Sequence, residues 1–184
     1  MTDYAGDVRG FVAGLRAQPI VIGWSMGGLV AVMVASTGDA AACVALEPSP
    51  SANRIYETIK LGSGMFDSTE YGIKTADPQT QPSMPDLDLA ERRIALSSLG
   101  PESRMARDEH KRGITIEPLT CTLLLIMGSG GANKIEEYDQ HLPGGERYAA
   151  KGASHWWFVL NRRSVTKTVP AVLQWLEDSG VTGQ

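Results

Sequence analysis

At 184 residues with 42% apolar composition, the chain is long enough to bury one core and is read as a single domain over residues 1–184. The net charge of −4 and Lys/Arg runs of no more than two residues offer no footprint for neutralising phosphates, so nucleic acid is not an expected partner. The longest apolar stretches, 29–35 and 123–127, are too short to span a bilayer, and Asp3 and Asp7 stand where a secretory leader would need positive charge; a cytoplasmic protein with no membrane span is the expectation.

The chain opens with Tyr4, Val8, Phe11, Val12 and Leu15 at helical spacing, which predicts an amphipathic helix over 3–17, ending before Pro19. Gly6, Gly10 and Gly14 share another face, read as a smooth ridge for close packing. A wholly apolar strand follows at 19–22. An apolar helix over 26–36 comes next and ends at Gly38, a residue suited to a left-handed cap. Residues 43–46 and 121–127 repeat the continuous apolar run of strands covered on both faces, and 147–150 is a weaker fourth strand. Cys43 and Cys121 fall within such runs, which predicts buried free thiols; they form no metal-ligand pattern, and no cofactor is expected. Val169, Val172, Leu173 and Leu176 mark a last helix, with Pro170 in its first turn. Between 46 and 121 lies a proline-rich segment with helical stretches near 87–99 and 102–111, read as a cap-like insertion over 48–118.

The chemistry centres on Gly23-Trp24-Ser25-Met26-Gly27, where an apolar strand gives way to an apolar helix. In a G-x-S-x-G turn of this kind the glycines allow a sharp bend that lifts the serine above the sheet edge, beside main-chain N–H groups at a helix N-terminus. A serine hydroxyl needs a base at neutral pH, and the chain has three histidines. His110 lies in a charged helix and reads as a solvated surface residue, and His141 as a helix-end or turn residue. His155 follows the last strand, in a loop at the carboxyl edge of the sheet, and keeps the chain order serine, acid, histidine.

The segment Gly23 to Val30, the tail Gly152-Ala153-Ser154-His155 and the closing Gln174-Trp175-Leu176 resemble the α/β-hydrolase superfamily of esterases and lipases. The resemblance implies an α/β fold: a half-sheet of about four mostly parallel strands with flanking helices, truncated because the chain starts at the helix that precedes the elbow strand. It implies ester hydrolysis through Ser25 with His155 as general base, Met26 N–H as an oxyanion donor and Trp24 at the substrate, a small-molecule ester. The acyl group would rest on cap residues such as Met65, Phe66 and Met84. Two departures stand out. Members commonly carry the acid just after the strand that here ends at Met127, and residues 129–134 hold no carboxylate; other members draw it from the end of the preceding strand, which implies Glu47, with Glu136 and Asp139 behind it. The second oxyanion donor usually comes from an earlier segment, and loss of one donor typically costs ~10²–10³ in rate. A non-catalytic binding domain on the same fold is the alternative. The strand at 19–22 is expected at an apolar sheet edge, where a homodimer or a partner segment would cover it.

Overall fold

The computed structural model describes residues 1–128 and 145–181. Its centre is a four-stranded parallel sheet in the order β1-β2-β5-β6, formed by β1 (Ile20–Trp24), β2 (Ala42–Leu46), β5 (Thr122–Met127) and β6 (Glu146–Ala149). Side chains alternate across the two inner strands. Cys43, Ala45, Leu123, Leu125 and Met127 face a core shared with α1 (Thr2–Val12) and α2 (Met26–Ala35). Ala42, Val44, Leu124 and Ile126 face Trp157, Phe158, Trp175 and Leu176 on α5 (Trp157–Leu160) and α6 (Arg162–Asp178). Helices on both faces account for the unbroken apolar runs of β2 and β5. This is the half-sheet of four parallel strands with flanking helices that the resemblance to α/β hydrolases implies.

Several elements differ in detail. Helix α1 stops at Val12, five residues short of the expected end; Gly14 N–H turns to the carbonyl of Phe11, an i to i+3 bond that tightens and closes the helix. The glycine ridge is absent: a Cβ on Gly6 or Gly10 would meet nothing within 4 Å. Pro170 lies in the middle of α6 rather than its first turn, because the Asn161 side chain caps the helix earlier by accepting Arg163 N–H at 2.8 Å. The proline sits with Thr166 on the exposed side, where water can serve the carbonyl left without an N–H. Both thiols are free, but Cys121 is only half-buried. No helix among the described residues is long and apolar enough to cross a membrane.

Between β2 and β5 the chain forms a two-stranded antiparallel ribbon of β3 (Met65–Phe66) and β4 (Glu102–Ser103), with α3 (Leu89–Ser98) and α4 (Arg104–Arg112). Helix α3 begins in a capping box, Asp88 with Glu91, and α4 begins two residues later than expected because Glu102 and Ser103 pair with β3. Strand β1 is an edge strand, with Ile20 38% and Ile22 58% exposed.

Candidate active site

Parallel register gathers the predicted site residues at one edge of the sheet. Trp24 pairs with Leu46, Leu46 with Ile126, and Met127 with Ala149, so the residues that follow, Ser25, Glu47, Gly128 and the loop reaching His155, leave the carboxyl ends together. The ladder continues past β1 and β2: Ser25 N–H donates to Leu46 O at 3.0 Å and Glu47 N–H to Ile126 O at 2.7 Å.

Ser25 is the N-cap of α2 at φ 54°, in the positive-φ region that few residues other than glycine adopt. The turn closes only because its neighbours lack side chains: a Cβ on Gly23 would stand 2.1 Å from Gly27 O. Met26 opens the helix, where the first N–H groups have no acceptor within the helix and carry its positive dipole end. Glu47 also has positive φ, 39°, a backbone strain of ~1–3 kcal/mol that turns its buried side chain back under the sheet edge.

The imidazole of His155 lies between these two strained residues. Nε2 is 2.9 Å from Ser25 Oγ, and Nδ1 is 3.9 Å from Glu47 Oε1, within ion-pair reach but outside hydrogen-bond distance. The other carboxylate oxygen of Glu47 accepts Gly128 N–H at 2.9 Å. Gly128 is required there: a Cβ would stand 2.6 Å from Glu47 Oε2 and 2.4 Å from Ala153 O. The structure thus brings Ser25, His155 and Glu47 into one line. The reserve acids Glu136 and Asp139, with His141 and the loop 129–134, lie outside the described residues.

Trp24 lines the cleft, but its indole N–H donates to His155 O at 2.8 Å and its ring centroid is 4.8 Å from the imidazole. It therefore holds the histidine loop as well as facing ligand space. That bond joins residues 131 apart in sequence, and nothing in the local sequence signals it.

The cleft above Ser25 has a volume of about 710 Å³. Its walls differ from the expected acyl site. Met65 is 57% exposed, Phe66 is buried beneath the guanidinium of Arg107 at 4.6 Å, and Met84 is sealed in a cluster with Leu87 and Ala95; none of them lines the cleft. Ile73, Leu99 and Trp156 supply apolar wall instead, and Arg107 and His110 a polar one. His110 is accordingly no solvated surface residue: it is half-buried, with Nε2 3.1 Å from Pro50 O. Arg107 also bonds Glu70, whose carboxyl is held below the usual range first by that bond and then by Arg104.

A strand–elbow–helix with serine at the bend, a histidine against it and a parallel sheet between helices defines an α/β hydrolase. The chain belongs to the alpha/beta hydrolase family, whose model matches residues 1–165. Among solved structures it is similar to a variant of tomato methylketone synthase I complexed with β-ketoheptanoate, with TM-score 0.66 and 14% identity over 95% of this chain and 77% of that one. It is also similar to a thermophilic esterase, with TM-score 0.64 and 15% identity over 97% and 73% of the two chains. Polyneuridine aldehyde esterase follows at TM-score 0.62 and 14% identity, over 93% and 78%. At such identities the likeness shows the fold alone. No curated protein matches the chain in sequence.

Proposed function

We propose that the chain is a serine hydrolase that cleaves carboxylic esters through an acyl-enzyme on Ser25. The observation that carries the reading is the 2.9 Å approach of His155 Nε2 to Ser25 Oγ, with buried Glu47 on the far side of the ring. In this mechanism Nδ1 carries the imidazole proton and Nε2 is bare. Ser25 Oγ attacks the ester carbonyl carbon as its proton passes to Nε2, and Glu47 stabilises the imidazolium. Met26 N–H faces the oxyanion. Collapse of the tetrahedral adduct breaks the ester C–O bond, and Nε2 returns the proton to the departing alcohol. Water then repeats the sequence, releasing the acid and restoring Ser25. Residues 48–118 act as the cap over this cleft, and esterases among the structural neighbours favour ester over other acyl substrates.

Initial rates with p-nitrophenyl acetate and butyrate test the proposal. Saturable turnover that falls by at least ~10³-fold in both Ser25→Ala and His155→Gln is the expected result. Turnover unchanged in either variant removes that residue from the mechanism. No turnover in the parent leaves a ligand-binding hydrolase-fold domain as the better reading.

A further inference from the structure

Asp86 belongs to the insertion and is 68 residues from Ser154 in sequence, yet its carboxylate grips that residue twice. Oδ2 accepts Ser154 N–H at 2.7 Å, and Oδ1 accepts the Ser154 hydroxyl. Hydrogen bonds to a charged acceptor are about twice as strong as neutral ones. The main chain of Asp86 is held in turn, its carbonyl accepting from Asn161 Nδ2 at 2.6 Å.

The turn that presents Asp86 is fixed from below. Arg92, 3% exposed, donates to the carbonyls of Gln81 at 2.7 Å, Leu87 at 3.1 Å and Met84. Glu91, 5% exposed, accepts Asp88 N–H and Arg162 N–H, each at 3.0 Å, tying the start of α3 to the start of α6. A buried charge is tolerated only when its hydrogen bonds are met, and these two are met by the backbone of this bracket.

Ser154 is the residue before His155. The loop that carries them leaves β6 through exposed Lys151 and Gly152, the latter at φ 81°, and Ala153 anchors it in the core, leaving Ser154 and His155 to be set by their hydrogen bonds and by the Trp24 ring. Asp86 pins the main chain just ahead of His155, and the Trp24 indole pins the His155 carbonyl. We propose that Asp86 is a positioning residue: through Ser154 the insertion holds His155 in reach of Ser25 as well as roofing the cleft. The effect on catalysis rests on the serine-hydrolase reading above.

The test combines kinetics with the imidazole Cε1–H resonance of His155, identified among the three histidines as the one lost in His155→Gln. In Asp86→Ala, kcat for p-nitrophenyl butyrate falls about 10²-fold with KM within about twofold, the scale of a misplaced catalytic group. The His155 resonance moves with it. Asp86→Asn keeps an acceptor for Ser154 N–H and recovers to within about tenfold of the parent, with the resonance near its original position; Ser154→Ala falls between. A folded Asp86→Ala with kcat within about twofold of the parent and an unmoved resonance overturns the proposal, whatever its thermal midpoint. Should Asp86→Ala fail to fold, Asp86→Asn and Ser154→Ala decide the matter by the same resonance, and no shift in Ser154→Ala counts against it. Should the parent hydrolyse no ester, the serine-hydrolase reading falls, while the resonance still decides whether Asp86 holds His155.

Discussion

Gly128→Ala is the smallest change that should disable the site without touching a reacting group. Its Cβ would lie 2.6 Å from Glu47 Oε2 and 2.4 Å from Ala153 O. Restoring ordinary contact at 3.4 Å moves the carboxylate oxygen by about 0.8 Å and the carbonyl by about 1 Å, and it strains the 2.9 Å bond from Gly128 N–H to Glu47. Both shifts reach His155, one through its acid and the other through the loop two residues ahead. Misplacement on this scale costs ~10² in rate, and loss of a triad acid costs ~10⁴, so kcat should fall within that interval while KM barely changes. Overpacking a buried position costs ~1–3 kcal/mol of stability, which the fold should survive. Gly10→Ala is the matched control: it meets nothing within 4 Å and should stabilise α1 by ~0.5–1 kcal/mol with full activity. The assay is initial-rate hydrolysis of p-nitrophenyl butyrate on variants verified as folded by circular dichroism. A folded Gly128→Ala with parental kcat would refute the role given to Glu47 and its seat.

Glu47→Gln should leave folding nearly intact and lower kcat by up to ~10⁴, with Asp139→Asn and Glu136→Gln close to the parent in the same assay; the reverse pattern would transfer the acid to one of those two. The Cys43 thiol, pushed up to about 12 by burial and then by nearby Cys121, is held neutral by the fold. Its stabilising effect is therefore complete below the ordinary thiol range near 9 and is lost as pH rises from there toward 12, by up to ~1.4 kcal/mol per unit. Iodoacetamide at pH ~8 should alkylate Cys121 well before Cys43, as read by peptide mass spectrometry, and equal rates would contradict the burial. At the β1 edge, Ile20 and Ile22 lie exposed on the face that Ala42 and Val44 turn toward α5 and α6, and we expect a homodimer there. Sedimentation should show self-association that Ile22→Lys abolishes; a monodisperse parent monomer would rule it out.

The parts legible in the sequence are those in which local chemistry and fold coincide. The elbow was readable because Gly23, Ser25 and Gly27 sit where an apolar strand meets an apolar helix, and that junction requires small neighbours. That Glu47 stands at the end of the strand preceding the one that closes at Met127 is equally legible, while its role as the acid is a proposal that the resemblance implies. The insertion was not, because its residues act far from where their type suggests. Phe66 and Met84 look like acyl contacts, but Phe66 is spent beneath Arg107 and Met84 in its own small core. Glu91 and Arg92 of α3 are charged, yet both are buried against main-chain partners. His110 looks like a surface residue because α4 is highly charged, whereas the chain packs that helix against the cleft. Periodicity reports which face of a helix is apolar; it carries no signal for hydrogen bonds across 68 or 131 residues, such as those from Asp86 and Trp24 that hold the His155 loop.

The mechanism requires that Ser25 be a nucleophile activated by His155. Incubation with a fluorophosphonate, followed by intact mass and peptide mapping, tests it most directly, because the reagent captures a hydroxyl only when a base takes its proton. One adduct per chain is expected, on Ser25, absent in Ser25→Ala and formed at least ~10²-fold more slowly in His155→Gln. An adduct on another serine, or labelling of Ser25 at an undiminished rate in His155→Gln, would contradict it.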